Sequence, residues 1–367
     1  MFYENLIRPV LFRYDPEEIH DRVLSIVKRA SKIPLLHPLV RSLCAVNDPR
    51  LEQKLFDITF PNPVGLAAGM DKRCDTLHGF AMFGFGFVEG GGVTAMKQGG
   101  NPEPRIFRIP EDEALINRMG FNNLGAEETA YRLRSARKPS VPCAINIGFS
   151  KTVSVDDTDA VIADYCYTFV KLYDYADFFV INVSSPNTFG LRGLQGQEFL
   201  KLLLKGIQKQ NLKSPRKPHQ RLKPILLKIA PDLTFKEIDE ILEVIKELGI
   251  DGIVATNTTT GRDGLVTKGD VIKESGGLSG KPLYHRALKI VRHIHKQFPS
   301  LPIIGVGGIF SSQDAYEMLR AGASLIQIYT SFVYEGPGIV RQINKELLWR
   351  MDLIKSISDL NTSVVRS

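Results

Sequence analysis

The stretch PILLKIAPDLTFKEIDEILEVIKEL, residues Pro224–Leu248, shows the pattern that decides the fold. It opens with a short apolar run, Pro224–Ile229, of the kind that forms a strand buried on both faces. From Ile238 onward, apolar residues recur every three or four positions, which is the spacing of an amphipathic helix. Thr234 and Glu237 stand where a helix N-cap and its capping-box partner are expected. The stretch therefore predicts a strand followed directly by a helix.

The same strand-then-helix unit recurs along most of the chain. The candidate strands are Pro63–Ala68, Phe87–Val93, Pro142–Ile147, Phe178–Val183, Pro224–Ile229, Gly252–Thr256, Pro302–Val306 and Ser324–Tyr329. A second clear helix is Ser311–Ala321, which Gly322 would end. Apolar strands that alternate with helices indicate a parallel sheet covered on both faces. Eight such units favour an α/β fold of the closed (β/α)8 TIM-barrel type, and an open doubly wound sheet is the competing fold.

Three segments lie outside this repeat. Leu51–Phe60 alternates like a strand pair and predicts a hairpin across the bottom of the barrel. Residues 1–45 form a helical appendage, with a helix at Pro16–Lys32 and an apolar stretch at 33–40. This appendage is either a lid packed on the barrel or a surface that meets something apolar. The barrel then occupies residues 46–351, and residues 352–367 form a polar tail that we expect to fray.

The composition indicates a soluble globular protein, with 43% hydrophobic and 24% charged residues and a net charge of +7. Eight of the basic residues lie between Lys201 and Lys223, where no Asp or Glu occurs. That run is either a solvated face or a surface for a membrane or an anionic ligand. It lacks interleaved aromatic residues, so we expect no nucleic-acid partner. The four cysteines form no CxxC pair, so we expect no metal site.

The ends of the candidate strands carry a set of neutral hydrogen-bonding groups. Asn146, Asn182 and Asn257 stand at strand ends. Ser185 lies in the loop after Asn182 and has no His, Asp or Glu beside it in the sequence. Since the carboxyl ends of barrel strands meet at one rim, these groups converge there and need polar partners. A flat heterocycle rich in carbonyl and N–H groups would supply them.

Two glycine-rich segments, Gly305–Ser312 and Ser275–Leu283, point to a phosphate at the corner formed by the last strands. We read the second segment as a loop that precedes a helix. The chain has neither the GxxxxGK[ST] nor the GxGxxG pattern, so a nucleoside triphosphate or NAD is not indicated. Flavin mononucleotide (FMN) fits better, and Lys228 near its pyrimidine end would favour the reduced form by charge.

Several motifs together make the chain resemble a known family. They are FYENLIRPVLF, NPVGLAAGMDK, INRMGFNN, INVSSPNTFGLR, LLKIAPDL, TNTT, GGLSGKPL, GVGGI and YTSFVYEGP. Over nearly its whole length the chain is similar to the dihydroorotate dehydrogenases, in particular to the quinone-dependent class. The resemblance implies oxidation of dihydroorotate to orotate on one FMN per chain, within pyrimidine biosynthesis. The electrons would then pass to a membrane quinone.

The resemblance also implies roles for particular residues. The catalytic base would be Ser185, where relatives that use soluble acceptors typically carry Cys. The substrate would contact Lys72, Asn117, Arg118, Met119, Gly120, Phe121, Asn182, Asn187, Asn257 and Thr258. FMN would contact Ala67, Ala68, Gly69, Gly92, Thr94, Asn146, Asn182, Lys228, Thr256, Ser279, Gly280, Gly307, Gly308, Tyr329 and Thr330. The quinone would enter along a tunnel that His20, Arg108 and Tyr329 line and that the N-terminal helices form.

Two positions depart from the family pattern. Gly92 replaces a Ser or Thr, and Phe149-Ser150 replaces Lys-Asn in the loop after Asn146. Three other functions compete: a dihydroorotate dehydrogenase with a soluble acceptor, a non-redox barrel enzyme such as a phosphosugar isomerase or aldolase, and a membrane-bound binding protein.

The sequence also carries expectations about location and partners. No signal peptide or spanning segment is evident, and basic residues accompany the apolar face of the appendage. We therefore expect a monomer that contacts membrane lipid peripherally, on the cytoplasmic face of a bacterial inner membrane.

Overall fold

The computed structural model describes residues 3–187, 196–215 and 221–351. The predicted tail at 352–367 and residues 188–192 of the INVSSPNTFGLR motif lie outside the described residues. The strands are β1 (Gln53–Leu55), β2 (Ile58–Phe60), β3 (Val64–Leu66), β4 (Phe87–Val93), β5 (Ile106–Ile109), β6 (Ala114–Asn117), β7 (Cys143–Ile147), β8 (Phe178–Asn182), β9 (Ile225–Ile229), β10 (Gly252–Ala255), β11 (Gly277–Gly280), β12 (Ile303–Val306) and β13 (Leu325–Ile328).

The α-helices lie mainly between these strands. They are α1 (Arg8–Leu11), α2 (Pro16–Ala30), α3 (Leu36–Cys44), α4 (Leu77–Phe80), α5 (Ala126–Ser135), α6 (Thr158–Leu172), α7 (Gln197–Lys213), α8 (Phe235–Leu248), α9 (Tyr284–Gln297), α10 (Ser312–Arg320), α11 (Thr330–Glu335) and α12 (Gly338–Met351). A π-helical stretch, Tyr3–Ile7, precedes α1. Short 3-10 turns lie at Pro49–Leu51, Ala81–Phe83, Pro110–Asp112, Tyr173–Tyr175, Asp270–Lys273 and Lys281–Leu283.

Eight parallel strands close into a barrel in the order β3, β4, β7, β8, β9, β10, β12 and β13. All eight correspond to predicted strands, so the barrel is confirmed and the open doubly wound sheet is wrong. The ring closes where Ile326 of β13 pairs with Val64 of β3. Every residue of β8 and β9 is buried, as expected for strands covered on both faces.

The helix that the opening stretch predicts forms as expected. The Thr234 side chain caps α8 by accepting a hydrogen bond from the backbone N–H of Glu237. The Glu237 side chain accepts one from the backbone N–H of Thr234, which completes the capping box. Gly249 ends the helix in the left-handed region at φ 61°. The apolar face of α8, from Ile238 to Ile245, is buried against the barrel.

The predicted hairpin at Leu51–Phe60 is confirmed as the antiparallel pair β1–β2. Its last residue, Phe60, is fully buried. The ring of Phe60 contacts Phe87 at 5.5 Å and Phe178 at 6.1 Å between centroids. Because Phe87 and Phe178 begin their strands, the hairpin closes the barrel at its amino end.

Charged contacts hold the N-terminal appendage against the barrel. Arg105, just before β5, donates three hydrogen bonds to Glu17 of α2, the shortest at 2.7 Å. Lys28 of the same helix lies 2.6 Å from Asp75 in the loop before α4. These pairs fix α2 beside the carboxyl rim of the barrel.

The other side of the appendage is apolar and exposed. Only Val27 of α2 is buried, whereas Ile26, Leu35, Leu39 and Leu43 are each more than half exposed. The appendage is therefore both packed on the barrel and open on an apolar face, so the two alternatives that the sequence left open are not exclusive.

The segment Ser275–Leu283 differs from the predicted glycine-rich loop. Gly277–Gly280 forms strand β11, which pairs antiparallel with β6 in a three-stranded sheet with β5. A side chain at Gly280 would bring its Cβ within 2.3 Å of the Glu113 carbonyl oxygen, and φ there is 106°. Glycine here allows two backbone segments to approach closely. From the sequence alone, such a glycine cannot be distinguished from a glycine in a turn.

We expect Phe60→Ala to lower the free energy of unfolding by about 3–5 kcal/mol, since it removes a buried ring from the barrel floor. Chemical denaturation should show the loss. The matched control is Thr59→Ala in the same strand, an exposed position where we expect a change within about 0.5 kcal/mol. Equal stability of the two variants would contradict the role given to the hairpin.

Candidate active site

A deep cavity opens at the carboxyl ends of the barrel strands, with about 1160 Å³ of space free of protein atoms out to its mouth. Most of the residues predicted for the site line it. They are Ala67, Ala68, Gly69, Lys72, Gly92, Asn117, Met119, Gly120, Phe121, Asn146, Asn182, Ser185, Asn187, Lys228, Thr256, Asn257, Thr258, Ser279, Gly280, Gly307, Gly308, Tyr329 and Thr330. The structure therefore brings two serines, two lysines and five asparagines of the predicted set to one cavity.

Two residues predicted to contact ligands are engaged elsewhere. The Arg118 guanidinium lies 2.5 Å from Glu274 and donates to the Pro104 carbonyl, which turns it away from the cavity. Thr94 is fully buried, where it donates to the Met96 carbonyl at 2.7 Å. Neither side chain is among those that line the cavity.

Two residues predicted for the quinone tunnel lie where the appendage meets the barrel, outside the cavity lining. Arg108 of β5 donates to the Tyr14 carbonyl at 2.7 Å and covers the Phe12 ring at 4.6 Å, so it holds the chain between α1 and α2. His20 of α2 is half-buried and hydrogen-bonds to the backbone of Met70. Burial and the nearby positive charge of Lys72 lower the pKa of His20 to about 3, so its imidazole is neutral.

A continuous chain of amide hydrogen bonds crosses the floor of the cavity. Asn182 donates to the Oδ1 atom of Asn146 at 3.0 Å. The Oδ1 atom of Asn182 accepts from the backbone N–H of Ser184 at 3.1 Å and from Asn257 at 3.4 Å. Asn257 also donates to the Ser184 hydroxyl at 3.1 Å. These bonds hold the amides in defined orientations before any ligand arrives.

Ser185 stands at the wall of the cavity just after β8. Its Oγ atom accepts a hydrogen bond from the backbone N–H of Asn187 at 3.3 Å. Within the described ranges no His, Asp or Glu side chain hydrogen-bonds to Ser185. Asn187 in turn donates to the Oδ1 atom of Asn117 at 3.1 Å, which ties the serine loop to β6.

Two lysines carry the positive charge of the cavity. Burial lowers the pKa of Lys228 on β9, and the nearby Glu89 opposes that shift. Burial also lowers the pKa of Lys72 to about 8, although Glu17 and Asp21 of α2 oppose the shift. Near neutral pH the mouth of the cavity therefore offers a cation at Lys72 for an anionic ligand.

The positions that depart from the family pattern have structural explanations. A Cβ atom at Gly92 would lie 2.6 Å from the ring of Phe121, so glycine here makes room for that ring at the cavity wall. Phe149 is buried and its ring lies 6.2 Å from that of Tyr165. Ser150 accepts a hydrogen bond from the backbone N–H of Met96 at 2.9 Å. Phe149 and Ser150 therefore serve the packing of this loop.

Sequence reasoning missed several lining residues and one residue beneath them. The lining residues are Ile106, Leu115, Leu283, Val306, Ile309, Phe310, Gln327, Ile328 and Ser331. Glu89 of β4 lies beneath the cavity, fully buried. Glu89 and Gln327 are polar residues inside strands predicted to be buried on both faces, and this unusual placement could have identified these two residues from the sequence.

The described part of the chain has no group of His, Cys, Asp and Glu side chains suited to a metal ion. Over the same residues, no helix combines the length and apolar character needed to cross a bilayer.

A parallel eight-stranded barrel with a polar cavity at its carboxyl rim places the chain among the (β/α)8-barrel proteins that bind their ligands there. Residues 50–351 match the family described as Dihydroorotate dehydrogenase. The chain belongs to the dihydroorotate dehydrogenase family.

Individual relatives span almost the whole chain. A protein of Christiangramia forsetii named dihydroorotate dehydrogenase (quinone) is 48% identical over 347 residues, covering 94% of this chain and 98% of its own. A protein of the same name from Chloroflexus aurantiacus is 48% identical over 353 residues, covering 95% and 96%. The ligand-free DHODH of Eimeria tenella has a similar structure, with a TM-score of 0.85, 35% identity and coverage of 94% and 98%. The same protein in complex with ferulenol gives a TM-score of 0.83 at 34% identity, covering 95% and 94%.

Proposed function

We propose that this chain oxidises dihydroorotate to orotate on a bound FMN and delivers the electrons to a membrane quinone. Membership of the family and relatives named as quinone enzymes support the proposal. The observation that carries it is the convergence of Ser185, Lys72 and the asparagines on one cavity at the carboxyl rim.

The cavity suits a flavin because some of its polar atoms have no partner in the protein. Among the described residues, the Gln327 Oε1 and Ser331 Oγ atoms are buried without a hydrogen bond. Lys228 is buried as well, and its side chain makes no hydrogen bond to any described residue. A ring with carbonyl and N–H edges would satisfy such groups.

The backbone of the cavity also suits FMN. Gly307 and Gly308 have φ of 130° and 69°, so glycine lets the chain turn tightly where a phosphate would approach backbone N–H groups. We propose that FMN is held by Ala67, Ala68, Gly69, Gly92, Asn146, Asn182, Lys228, Thr256, Ser279, Gly280, Gly307, Gly308, Tyr329 and Thr330. When bound, FMN supplies the hydride acceptor and a route for the electrons to the quinone.

The substrate site would lie between Lys72 and the chain of amides. Lys72 would bind the substrate carboxylate, because a cation at the cavity mouth suits an anionic group. Asn117, Asn187 and Asn257 would bind the pyrimidine edges, since an amide both donates and accepts hydrogen bonds. Met119, Gly120, Phe121 and Thr258 would complete the pocket.

Ser185 would act as the base that takes a proton from a substrate carbon while the hydride leaves from the neighbouring carbon. A hydroxyl with no neighbouring base is a weak acceptor of protons, so the environment must favour the transfer. Ser185 is buried, and as it takes the substrate proton its own hydroxyl proton would pass to a water molecule that leads to solvent, which leaves the hydroxyl neutral. The backbone N–H of Asn187 would stabilise the Ser185 oxygen while that proton leaves.

We infer that the appendage meets the membrane that holds the quinone. Leu35, Leu39 and Leu43 recur every four residues on one exposed face, which suits insertion into the boundary of a lipid leaflet. His20 and Arg108 lie where this appendage meets the barrel and Tyr329 lines the cavity, and the three would flank the path of the quinone. We propose a monomer bound peripherally to the cytoplasmic face of a bacterial inner membrane.

We expect Ser185→Ala to bind FMN like the wild type yet to reduce it about 100-fold more slowly or worse, since the proton acceptor is lost. Anaerobic stopped-flow absorbance with dihydroorotate measures this rate. Ser300→Ala, at an exposed serine far from the cavity, is the matched control and should keep the wild-type rate. A wild-type rate in Ser185→Ala would refute the base assignment.

We expect the affinity for orotate to fall by about tenfold between pH 7 and pH 9, because Lys72 loses its proton as pH rises through about 8. Titration of the flavin spectrum with orotate measures the dissociation constant. Lys72→Met should bind weakly throughout and lose this pH dependence. An affinity that is independent of pH in the wild type would contradict the role of Lys72.

Removal of residues 1–45 is expected to abolish turnover with a membrane quinone while dihydroorotate still reduces the flavin, because only the path to the acceptor is lost. Replacement of Leu35, Leu39 and Leu43 by Ser tests the surface in the full chain, and it should weaken binding to lipid vesicles. Unchanged quinone kinetics in the shortened chain would rule out the proposed path.

A further inference from the structure

Glu89 of β4 is a fully buried carboxylate beneath the cavity. Its two oxygens accept hydrogen bonds from two amides that line the cavity. The Nδ2 atom of Asn146 donates to Oε1 at 2.8 Å, and the Nε2 atom of Gln327 donates to Oε2 at 2.5 Å. Neither the sequence motifs nor the proposed mechanism gives Glu89 a role.

An ionised carboxylate only accepts hydrogen bonds, so it decides which way each amide points. Because Asn146 donates to Glu89, its oxygen faces Asn182, which donates to it at 3.0 Å. The oxygen of Asn182 is then left to accept from Ser184 and Asn257. One carboxylate thereby sets the donor and acceptor pattern across the cavity floor.

The same carboxylate also fixes the orientation of the Gln327 amide. With its N–H group bonded to Glu89, Gln327 keeps its buried Oε1 atom without a hydrogen bond in the described part of the chain. Gln327 lines the cavity, so this oxygen is available to an N–H group of a ligand. Glu89 is also the charged group that opposes the effect of burial on Lys228.

We propose that Glu89 is a positioning residue of the flavin site: it fixes the acceptor face of Gln327 and the amide of Asn146, and it balances the charge of Lys228. This inference rests on the proposed function, because it assumes that a flavin occupies the cavity. Glu89 acts on the flavin site through these three neighbours.

The substitution Glu89→Gln separates this role from simple packing. The new side chain has nearly the same size, but it offers one acceptor to two donors. Reversal of the Asn146 amide would break its bond to Asn182, whereas Gln327 has no second bond to another described residue of the protein. The Gln327 amide therefore reverses and presents N–H in place of oxygen, and the site loses one negative charge.

We expect purified Glu89→Gln to hold FMN about tenfold less tightly, the effect of one mismatched buried hydrogen bond. The midpoint potential of the bound flavin should rise. The expected rise is at least about 30 mV, which corresponds to a tenfold gain in relative affinity for reduced flavin. The more positive site favours the reduced form.

The double variant Glu89→Gln/Gln327→Glu is the matched test. The amide at position 89 now donates to a carboxylate at position 327 and still accepts from Asn146, so the bonds toward Asn182 keep their directions. Position 327 again presents an acceptor to the cavity, and the negative charge is restored. We expect the potential to return toward the wild-type value. A double variant as altered as the single one would show that packing alone matters and would overturn the proposal.

Thermal unfolding of each variant checks the fold. If Glu89→Gln does not fold, the double variant decides by itself: a near-wild-type potential supports the proposal, and a rise like that expected for loss of the charge overturns it. Wild-type affinity and potential in Glu89→Gln would also overturn it while leaving the proposed function intact. A wild-type protein that binds no flavin would instead refute the proposed function.

Discussion

Closure of the barrel is the constraint on which the rest of the structure depends. Pairing of β13 with β3 joins residues more than 260 positions apart, Ile326 with Val64, and completes the ring. Only a closed ring brings the carboxyl ends of all eight strands to one rim. Asn146, Asn182 and Lys228 come from three successive strands, and this ring places them around one cavity.

The hydrogen-bond network beneath the cavity follows from that closure. The strands are buried on both faces, so a polar residue within them must find partners inside the protein. Glu89, Asn146 and Gln327 satisfy one another across the barrel interior. Among the described residues the Gln327 Oε1 atom is left without a partner, and Gln327 lines the cavity, where a ligand can reach it. The same hydrogen-bonded residues therefore both stabilise the barrel interior and set the chemistry of the site.

The appendage joins this site to its surroundings. Glu17 and Lys28 bind the barrel through charged pairs, whereas Leu35 and Leu43 face outward. Because α2 also carries His20 beside the Lys72 loop, the appendage with its exposed apolar face lies next to the cavity. This arrangement accounts for an enzyme that accepts a polar substrate and reduces an apolar acceptor.

The sequence predicted the elements that depend on local pattern. The eight strands, the capping of α8 and the hairpin at Leu51–Phe60 follow from periodicity and end signals that neighbouring residues supply. Strand β11 was missed because Gly277–Gly280 is a strand only through its distant partner β6. Arg118 and Thr94 stand at positions that match the family motifs, yet their bonds to Glu274 and Met96 direct them away from the cavity. The direction of such a side chain depends on partners that are remote in the sequence, and a local sequence pattern does not predict them.

The measurement that tests the central claim most directly is an anaerobic titration of the purified wild-type protein with dihydroorotate, followed by absorbance. We expect a yellow protein whose flavin band bleaches with about one equivalent of substrate per chain and returns on addition of a quinone. A protein that stays colourless when offered FMN, or whose flavin remains oxidised in excess dihydroorotate, would contradict it.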